Sequence, residues 1–184
     1  MNVFRNGTFW LARQDLVTAI CQYGVQEFNQ TREEYPEWIP NLQQSRIVDC
    51  DWHNIDLHSA ILPLSQFNNV VLEGSNLREV RMQCASFTDV SLSKAILQDA
   101  RLQFCYFTDV VLDFANLQRA DLQKCVFKDV SFLSANLRGA DMERAYLRNV
   151  TLTDSDWRDT HRANVSIKDA VGIESMKLNK ATLK

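Results

Sequence analysis

The sequence is poor in the residues that mark several common protein classes. Its 184 residues include only 5 glycines and 3 prolines, so an architecture built on many glycine turns is not expected. Lys and Arg number 20 against 23 Asp and Glu, which gives a formal net charge of −3. A general polyanion binder needs a surplus of basic residues to neutralise phosphates. We therefore expect no direct nucleic-acid binding.

Long apolar runs and a leader pattern are also missing. No stretch approaches the roughly 20 apolar residues that span a bilayer, and Arg13, Gln14 and Asp15 interrupt the apolar residues near the start. The 5 cysteines are an odd number and show no CxxC spacing, which favours reduced thiols over a disulfide framework. We expect a cytoplasmic protein with no membrane association. Export by a route without an N-terminal signal is the alternative.

A repeat of five residues organises the chain. From Ile47 to Trp157 every fifth residue is large and apolar. The residue two places before each of these is Ala, Ser, Cys or Val, with Ile55 as the exception. The unit is therefore small–x–large–x–x, as in residues 115–119 and 135–139.

This period indicates a coiled all-β architecture. A period of five matches neither the 3.6 residues of a helical turn nor the two-residue alternation of a strand. The two inward positions of each unit lie two residues apart, as in a strand, and the outward residues between units must turn a corner. Four corners close a coil of twenty residues, and phenylalanine recurs at that spacing from Phe67 to Phe127. The sequence predicts a quadrilateral β-helix over residues 45–184, regular to about residue 170.

The units Ala115-Asn116-Leu117 and Ala135-Asn136-Leu137 fit the motif A(D/N)LXX, and residues 45–170 resemble the pentapeptide-repeat family. The resemblance implies a right-handed quadrilateral β-helix. Members that act on DNA gyrase are thought to imitate duplex DNA with an acidic rod, and some members are secreted effectors. The relatives that protect gyrase carry projecting loops, but the register between Ile47 and Trp157 has no insertion. Their C-terminal dimerising helix has no clear match here.

The two ends depart from the repeat. Residues 1–44 are predicted to form an N-terminal helical cap and a loop, with a helix from Thr8 to Tyr23 that Gly24 ends. Phe9, Leu16, Ile20 and Tyr23 are predicted to line one face of that helix.

At the C-terminal end, Arg162 interrupts the series of large apolar residues and Ile167 resumes it. Ile173, Leu178 and Leu183 then follow one residue out of register, with Val171, Met176 and Ala181 as their small partners. A last irregular coil and a short terminal helix both fit this pattern.

No residue pattern points to catalysis, a metal or a cofactor. The run from Asp49 to His58 is dense in potential ligands, but the register directs Cys50 inward and places His53 and His58 on different faces. Cys105 and Cys125 are predicted to stack as small apolar residues in the core. GxSxG and glycine-rich phosphate motifs are missing, and a filled solenoid provides no deep pocket. We expect a protein that is not an enzyme.

Two surfaces are candidate interaction sites. One is an acidic row at a corner of the coil, although the basic residues Lys128, Arg148 and Lys168 stand beside it. The structural alternative is that each Asp or Asn of the row only hydrogen-bonds its own turn. The other is an apolar surface on two neighbouring faces, which could bind a partner or form a homodimer; scattered surface residues are its alternative. A third column, Gln83, Gln103 and Gln123, is predicted to form a side-chain ladder. The row comprises Asn69, Asp89, Asp109, Asp129 and Asn149; the apolar surface comprises Val71, Tyr106, Val111, Val126 and Tyr146.

The function predicted from these features is that of a non-catalytic rod that binds a protein partner of unknown identity. The alternative, implied by the family resemblance, is a DNA mimic that modulates DNA gyrase or another type II topoisomerase. A further alternative is a secreted bacterial effector.

Overall fold

The computed structural model describes residues 2–6 and 8–179. An N-terminal cap contains a short hairpin and two helices, and the rest of the chain forms a solenoid. No helix in the described residues is both long and apolar enough to cross a membrane. The cap comprises β1 (Arg5–Asn6), β2 (Phe9–Trp10), α1 (Arg13–Tyr23) and α2 (Val25–Glu34). The solenoid comprises β3 (Arg46–Val48), β4 (Gln66–Val71), β5 (Ser86–Ser91), β6 (Tyr106–Val111), β7 (Val126–Ser131), β8 (Tyr146–Thr151) and β9 (Ser166–Val171), followed by a 3₁₀ turn (Ile173–Ser175).

The solenoid is a quadrilateral β-helix, as the sequence predicts. Strands β3 to β9 form one parallel seven-stranded sheet in chain order, and Phe67 pairs with Phe87, twenty residues later. Single bridges with the same spacing run along two further sides. We number the faces by their outward middle residues: face 1 carries Tyr106, face 2 Val111, face 3 Asn116 and face 4 Asp121. The first bridge joins Asn41 to Ile61, so the ladder begins at Asn41.

The large residues of the repeat fill the axis of the coil. Phe67, Phe87, Phe107 and Phe127 are buried and stack with ring centroids 4.7–4.8 Å apart, close to the spacing of hydrogen-bonded strands. Small residues let the wall approach this column. Cys105 and Cys125 are two of them: each is buried, and their thiols donate to the carbonyls of Met82 and Leu102 (2.9 Å each). Burial raises the pKa of the Cys125 thiol.

The corners of the coil require left-handed backbone. From Gln44 to Asp169 every fifth residue has a φ between 51° and 70°. Residues with a Cβ adopt this region uncommonly, and Asn and Asp tolerate it better than most. The five-residue period is therefore a period of backbone conformation as well as of side-chain size.

The cap differs from the sequence prediction at two places. The helix begins at Arg13 rather than Thr8, and Phe9 lies in the β1–β2 hairpin, where its side chain is 78% exposed. Leu16 and Ile20 are buried as predicted, whereas Tyr23 is exposed. Gly24 ends α1, with its N–H donating to Ile20 O (2.8 Å), but a second helix then follows directly.

Helix α2 has no apolar face that a periodicity argument could find. Its sequence is VQEFNQTREE, and its buried residues are Phe28, Thr31 and Arg32. Phe28 packs edge-on against Phe4 and Trp38 in an aromatic cluster (ring centroids 5.5 Å apart in both pairs). Arg32 donates to the carbonyls of Trp38 and His58, and burial lowers its pKa. The helix is held by one aromatic side chain and by polar contacts with the loop and the first coil, which sequence spacing does not reveal.

Two amide side chains of the cap pair with the open edge of the first coil. Gln14 Nε2 donates to Arg46 O (3.1 Å), and Gln14 Oε1 accepts from the Arg46 N–H (3.0 Å). Asn29 makes the same kind of pair on face 3: it donates to Asn54 O and accepts from the Asp56 N–H (2.8 Å each). Each amide supplies the hydrogen bonds that a preceding strand would supply, so the sheet edge is closed where the repeat begins.

The C-terminal end is a last coil with a one-residue insertion. Thr151 pairs with Val171 at the usual spacing of twenty, but Asp156 pairs with Lys177, twenty-one residues later. The extra residue is accommodated by left-handed Gly172 and the 3₁₀ turn. Of the two alternatives for this segment, the described residues form a coil. The predicted positions Ala181 and Leu183 lie outside the described residues.

Candidate interaction surface

The acidic row lies on the corner between faces 1 and 2, and it is longer than the sequence prediction. Every left-handed position of this corner is Asp or Asn, including two beyond the predicted ends. We call the set the Asx corner: Asp49, Asn69, Asp89, Asp109, Asp129, Asn149 and Asp169. The backbone conformation explains why these residue types recur, because Asp and Asn tolerate φ > 0.

Amide bridges join members of the Asx corner from coil to coil. Asn69 Nδ2 donates to Asp49 Oδ1 (2.8 Å), and Asn149 Nδ2 donates to Asp129 Oδ1. These contacts differ from the predicted structural alternative, in which each side chain bonds its own turn. In the described part of the chain, Asp89 and Asp109 accept no side-chain hydrogen bond and form no ion pair, so their carboxylates face solvent.

Basic residues offset the Asx corner only in its C-terminal half. Lys128 Nζ lies 3.3 Å from Asp129 Oδ2, and Arg148 Nε lies 3.9 Å from Asp169 Oδ2. Hydrogen bonds from Asn149 and Lys128 hold the pKa of the Asp129 carboxyl below its usual value. In the N-terminal half the corresponding positions are uncharged: Val48, Asn68, Thr88 and Thr108. In the described residues, the negative charge without an ion pair therefore lies at Asp49, Asp89 and Asp109, and Asp89 and Asp109 also lack the amide bridge that Asp49 accepts.

The five predicted apolar residues separate into two strips, one on each side of the Asx corner. On face 1, Tyr106 pairs with Val126 and Val126 with Tyr146, so these three form a continuous column. On face 2, Val71 and Val111 are separated by Ser91. Tyr106 is the most exposed of the five, at 59%. Only the face 1 strip is a continuous apolar surface, and the Asx corner borders it.

Two further apolar residues lie on the corner between faces 4 and 1: Phe104 stands beside Tyr106 at the end of this strip, and Leu64 lies two coils earlier, beside Gln66. Leu64 and Phe104 are 54% and 46% exposed, and both occupy left-handed positions (φ 60° and 62°). Lys124 Nζ lies 4.8 Å from the centroid of the Phe104 ring. A bulky side chain at φ > 0 is unusual and signals a residue kept for another reason. The period of five does not by itself show that these two positions adopt left-handed backbone.

The predicted glutamine ladder does not form. Gln123 Nε2 donates to Asp141 Oδ2 (2.7 Å), and Gln103 likewise donates to Asp121, so each amide bonds a carboxylate of the next coil. A carboxylate oxygen is a stronger hydrogen-bond acceptor than an amide oxygen, and the carboxylates of Asp121 and Asp141 lie within reach on face 4.

The histidines of the dense segment lie apart from one another. His53 Nδ1 lies 2.8 Å from Asp51 Oδ1, whereas His58 Nε2 lies 3.9 Å from Glu79 Oε1. Within residues 2–6 and 8–179, no three His, Cys, Asp or Glu side chains are arranged to hold a metal ion.

Comparisons with known proteins agree with this architecture. The family model "Pentapeptide repeats" matches residues 65–103, 105–144 and 115–154, with 8 copies. No curated protein matches the chain in sequence.

Solved structures of similar fold include Rfr23, a pentapeptide repeat protein from the cyanobacterium Cyanothece 51142. It is 19% identical, with a TM-score of 0.51 over 78% of this chain and 96% of that one. Trypsin-treated QnrB1, a plasmid-mediated fluoroquinolone resistance protein, is 16% identical, with a TM-score of 0.43 over 76% of this chain and 82% of that one. HetL, involved in heterocyst differentiation regulation in Nostoc sp. strain PCC 7120, is 17% identical, with a TM-score of 0.27 over 77% and 93%.

At these identities the likeness concerns the fold alone. The matched repeat units, the coil of twenty residues and the buried phenylalanine column all agree with it. The chain belongs to the pentapeptide-repeat proteins.

Proposed function

We propose that this protein is a non-catalytic rod that binds a protein partner through one corner of the solenoid. The observation that carries the proposal is the continuous apolar column of Tyr106, Val126 and Tyr146 beside the uncompensated carboxylates of Asp89 and Asp109. Exposed aromatic side chains contribute strongly to protein interfaces, and uncompensated charge at the rim directs the approach of a partner.

The chemistry of this corner indicates the kind of partner. An apolar or aromatic segment would cover the exposed ring of Tyr106, and Lys or Arg beside it would neutralise Asp89 and Asp109. The rod itself contributes rigidity, since the stacked core fixes the spacing of these groups and little ordering entropy is lost on binding.

Site-specific photo-cross-linking tests this proposal. A photoreactive residue at position 106 should yield a discrete cross-linked species in expressing cells, and Asp89→Asn with Asp109→Asn should weaken it several-fold. The same photoreactive residue at Asn116, on the opposite side of the coil on face 3, is the matched control. The mass of the product distinguishes a foreign partner from a second copy of this chain. Equal labelling from positions 106 and 116 would contradict the proposal.

A DNA-like role toward a type II topoisomerase is the second candidate, supported by the coil-to-coil spacing of carboxylates along the Asx corner. A supercoiling assay with purified DNA gyrase, with and without a quinolone, tests it. Inhibition or protection at micromolar protein that disappears on changing Asp89, Asp109 and Asp129 to Asn would favour this role over a general protein rod. No effect at that concentration would remove it. Export, the further alternative, is tested by following a tagged chain in the medium of a secretion-competent bacterium.

A further inference from the structure

Two thiols meet where the cap joins the first coil. Cys21 Sγ, in the last turn of α1, lies 3.1 Å from Cys50 Sγ, at the start of face 2. Cys21 is exposed and Cys50 is half-buried, so solvent reaches the pair. The Cys50 thiol also contacts Val48 O (3.2 Å).

Helix α1 is positioned to keep these thiols together. Gln14, Val17 and Cys21 are spaced three and four residues apart and therefore lie on one helix face. Val17 is buried there, and Gln14 pairs with the edge of β3 through the two hydrogen bonds to Arg46. The helix is thus attached at one end by an amide and at the other by the contact between the two sulfurs.

We propose that Cys21 and Cys50 form a reversible disulfide that locks the N-terminal cap onto the first coil, with a low-molecular-weight disulfide as the oxidant. A disulfide requires the sulfurs to approach to about 2.05 Å, roughly 1 Å closer than in the reduced pair. Cys21 lies three residues before Gly24 at the end of the helix, where a small shift of the chain is accommodated most easily.

The exchange proceeds in two balanced steps. The Cys21 thiolate attacks one sulfur of the small disulfide, forms a mixed disulfide and releases one small thiolate. Cys50 then attacks the Cys21 sulfur, loses its proton to solvent and releases the second small thiolate. Two protein thiols are oxidised, one small disulfide is reduced to two thiols, and the two protons released are taken up by the leaving groups.

The second step sets the pH dependence. In the reduced pair, burial and the hydrogen bond with Cys21 raise the pKa of Cys50 to about 12. In the mixed disulfide, burial and the Asp49 carboxylate still raise the pKa of Cys50, so Cys50 is protonated at neutral pH. Because the attacking species is the thiolate, the cross-linking rate should rise roughly tenfold per pH unit between about pH 7 and 9.

The other cysteines provide internal controls. Cys105 and Cys125 are buried, with each thiol bonded to a carbonyl, and they should stay reduced in the folded protein. Cys84 is exposed and can form only a mixed disulfide or an intermolecular bond, so the Cys84→Ser variant is the background for the experiment.

The test is equilibration of this variant in glutathione buffers of increasing oxidised fraction, followed by alkylation and peptide mass spectrometry. We expect a linked Cys21–Cys50 peptide that dithiothreitol reverses, and a melting temperature higher by roughly 5–10 °C than in the reduced form. With Cys50→Ser, a glutathione adduct should accumulate at Cys21. If both thiols remain alkylatable in the most oxidised buffer, or if the linked form melts no higher than the reduced form, the proposal is wrong.

Discussion

The two ends of the rod show how differently one architecture can close its exposed sheet edges. At the N-terminal end, Gln14 and Asn29 pair with the backbone of the first coil, and an aromatic cluster around Phe4 and Trp38 covers it. At the C-terminal end, Ile167 and Val171 of β9 are 37% and 61% exposed.

Repeat residues alone therefore do not cover the sheet edges at the ends of a solenoid. Each internal coil is closed by its neighbours, whereas a terminal coil needs side chains from outside the repeat. The cap supplies them at one end, and within residues 166–179 the last coil remains only partly covered.

The largest effect should come from the middle of the rod. Changing Phe107 to Ala opens a cavity between the stacked rings of Phe87 and Phe127, and we expect a loss of about 3–5 kcal/mol in the free energy of unfolding. Ile167→Ala, at the partly covered end, should cost about 1 kcal/mol, because less surface returns to water. Urea melts measure both, and equal losses would mean that the two coils are packed alike.

An intermediate effect is expected at the N-terminal edge. Gln14→Ala and Asn29→Ala should each cost about 1 kcal/mol, because each removes two hydrogen bonds to backbone groups of the first coil that water then has to replace. The matched control is Gln66→Ala on the exposed middle of face 1, which should cost less than about 0.5 kcal/mol. Thermal melts that rank Gln66 with Gln14 would remove the role assigned to the amide pairs.

The smallest effect concerns an exposed corner in the middle of the rod. The Arg119 guanidinium donates to both oxygens of Asp99 (2.8 and 2.7 Å) and holds the pKa of that carboxyl below its usual value. A lowered folded-state pKa stabilises the protein above about pH 4, and this contribution disappears as the pH falls through the folded-state pKa.

Asp99→Asn should therefore cost less than about 1 kcal/mol at pH 6, since the pair is exposed, and the cost should shrink as the pH falls below about 4. Urea melts across this range, with Asp89→Asn as an unpaired control, measure the change. A cost for Asp99→Asn that stays constant with pH would contradict the assignment.

The regular part of the fold could be predicted because one constraint repeats in every unit. Phe107 and Cys105 have to face inward wherever a strand of two inward positions is followed by a corner, so their spacing alone specifies their burial. Helix α2 could not be predicted, because Asn29 and Arg32 bond backbone groups of a coil more than twenty residues away, at Asn54, Asp56 and His58. Polar contacts of that kind leave no periodic pattern.

The candidate surface was predictable in composition but not in arrangement. Tyr106 and Val111 belong to one strand, yet the left-handed residue Asp109 between them turns the chain and places them on different faces. Likewise, the charge balance of the Asx corner depends on which neighbours reach it: Lys128 contacts Asp129, whereas Thr108 leaves Asp109 uncompensated.

The coil, its four faces and the residues that fill its axis follow from the amino-acid order, because side-chain size at two positions in five decides what can lie inside. Three features come from the folded chain alone: the closing of the sheet edge of the first coil, the carboxylates that have no ion-pair partner among the described residues, and the contact between Cys21 and Cys50. These features depend on contacts between segments that are distant in the chain, and the geometry of those contacts exists only once the chain has folded.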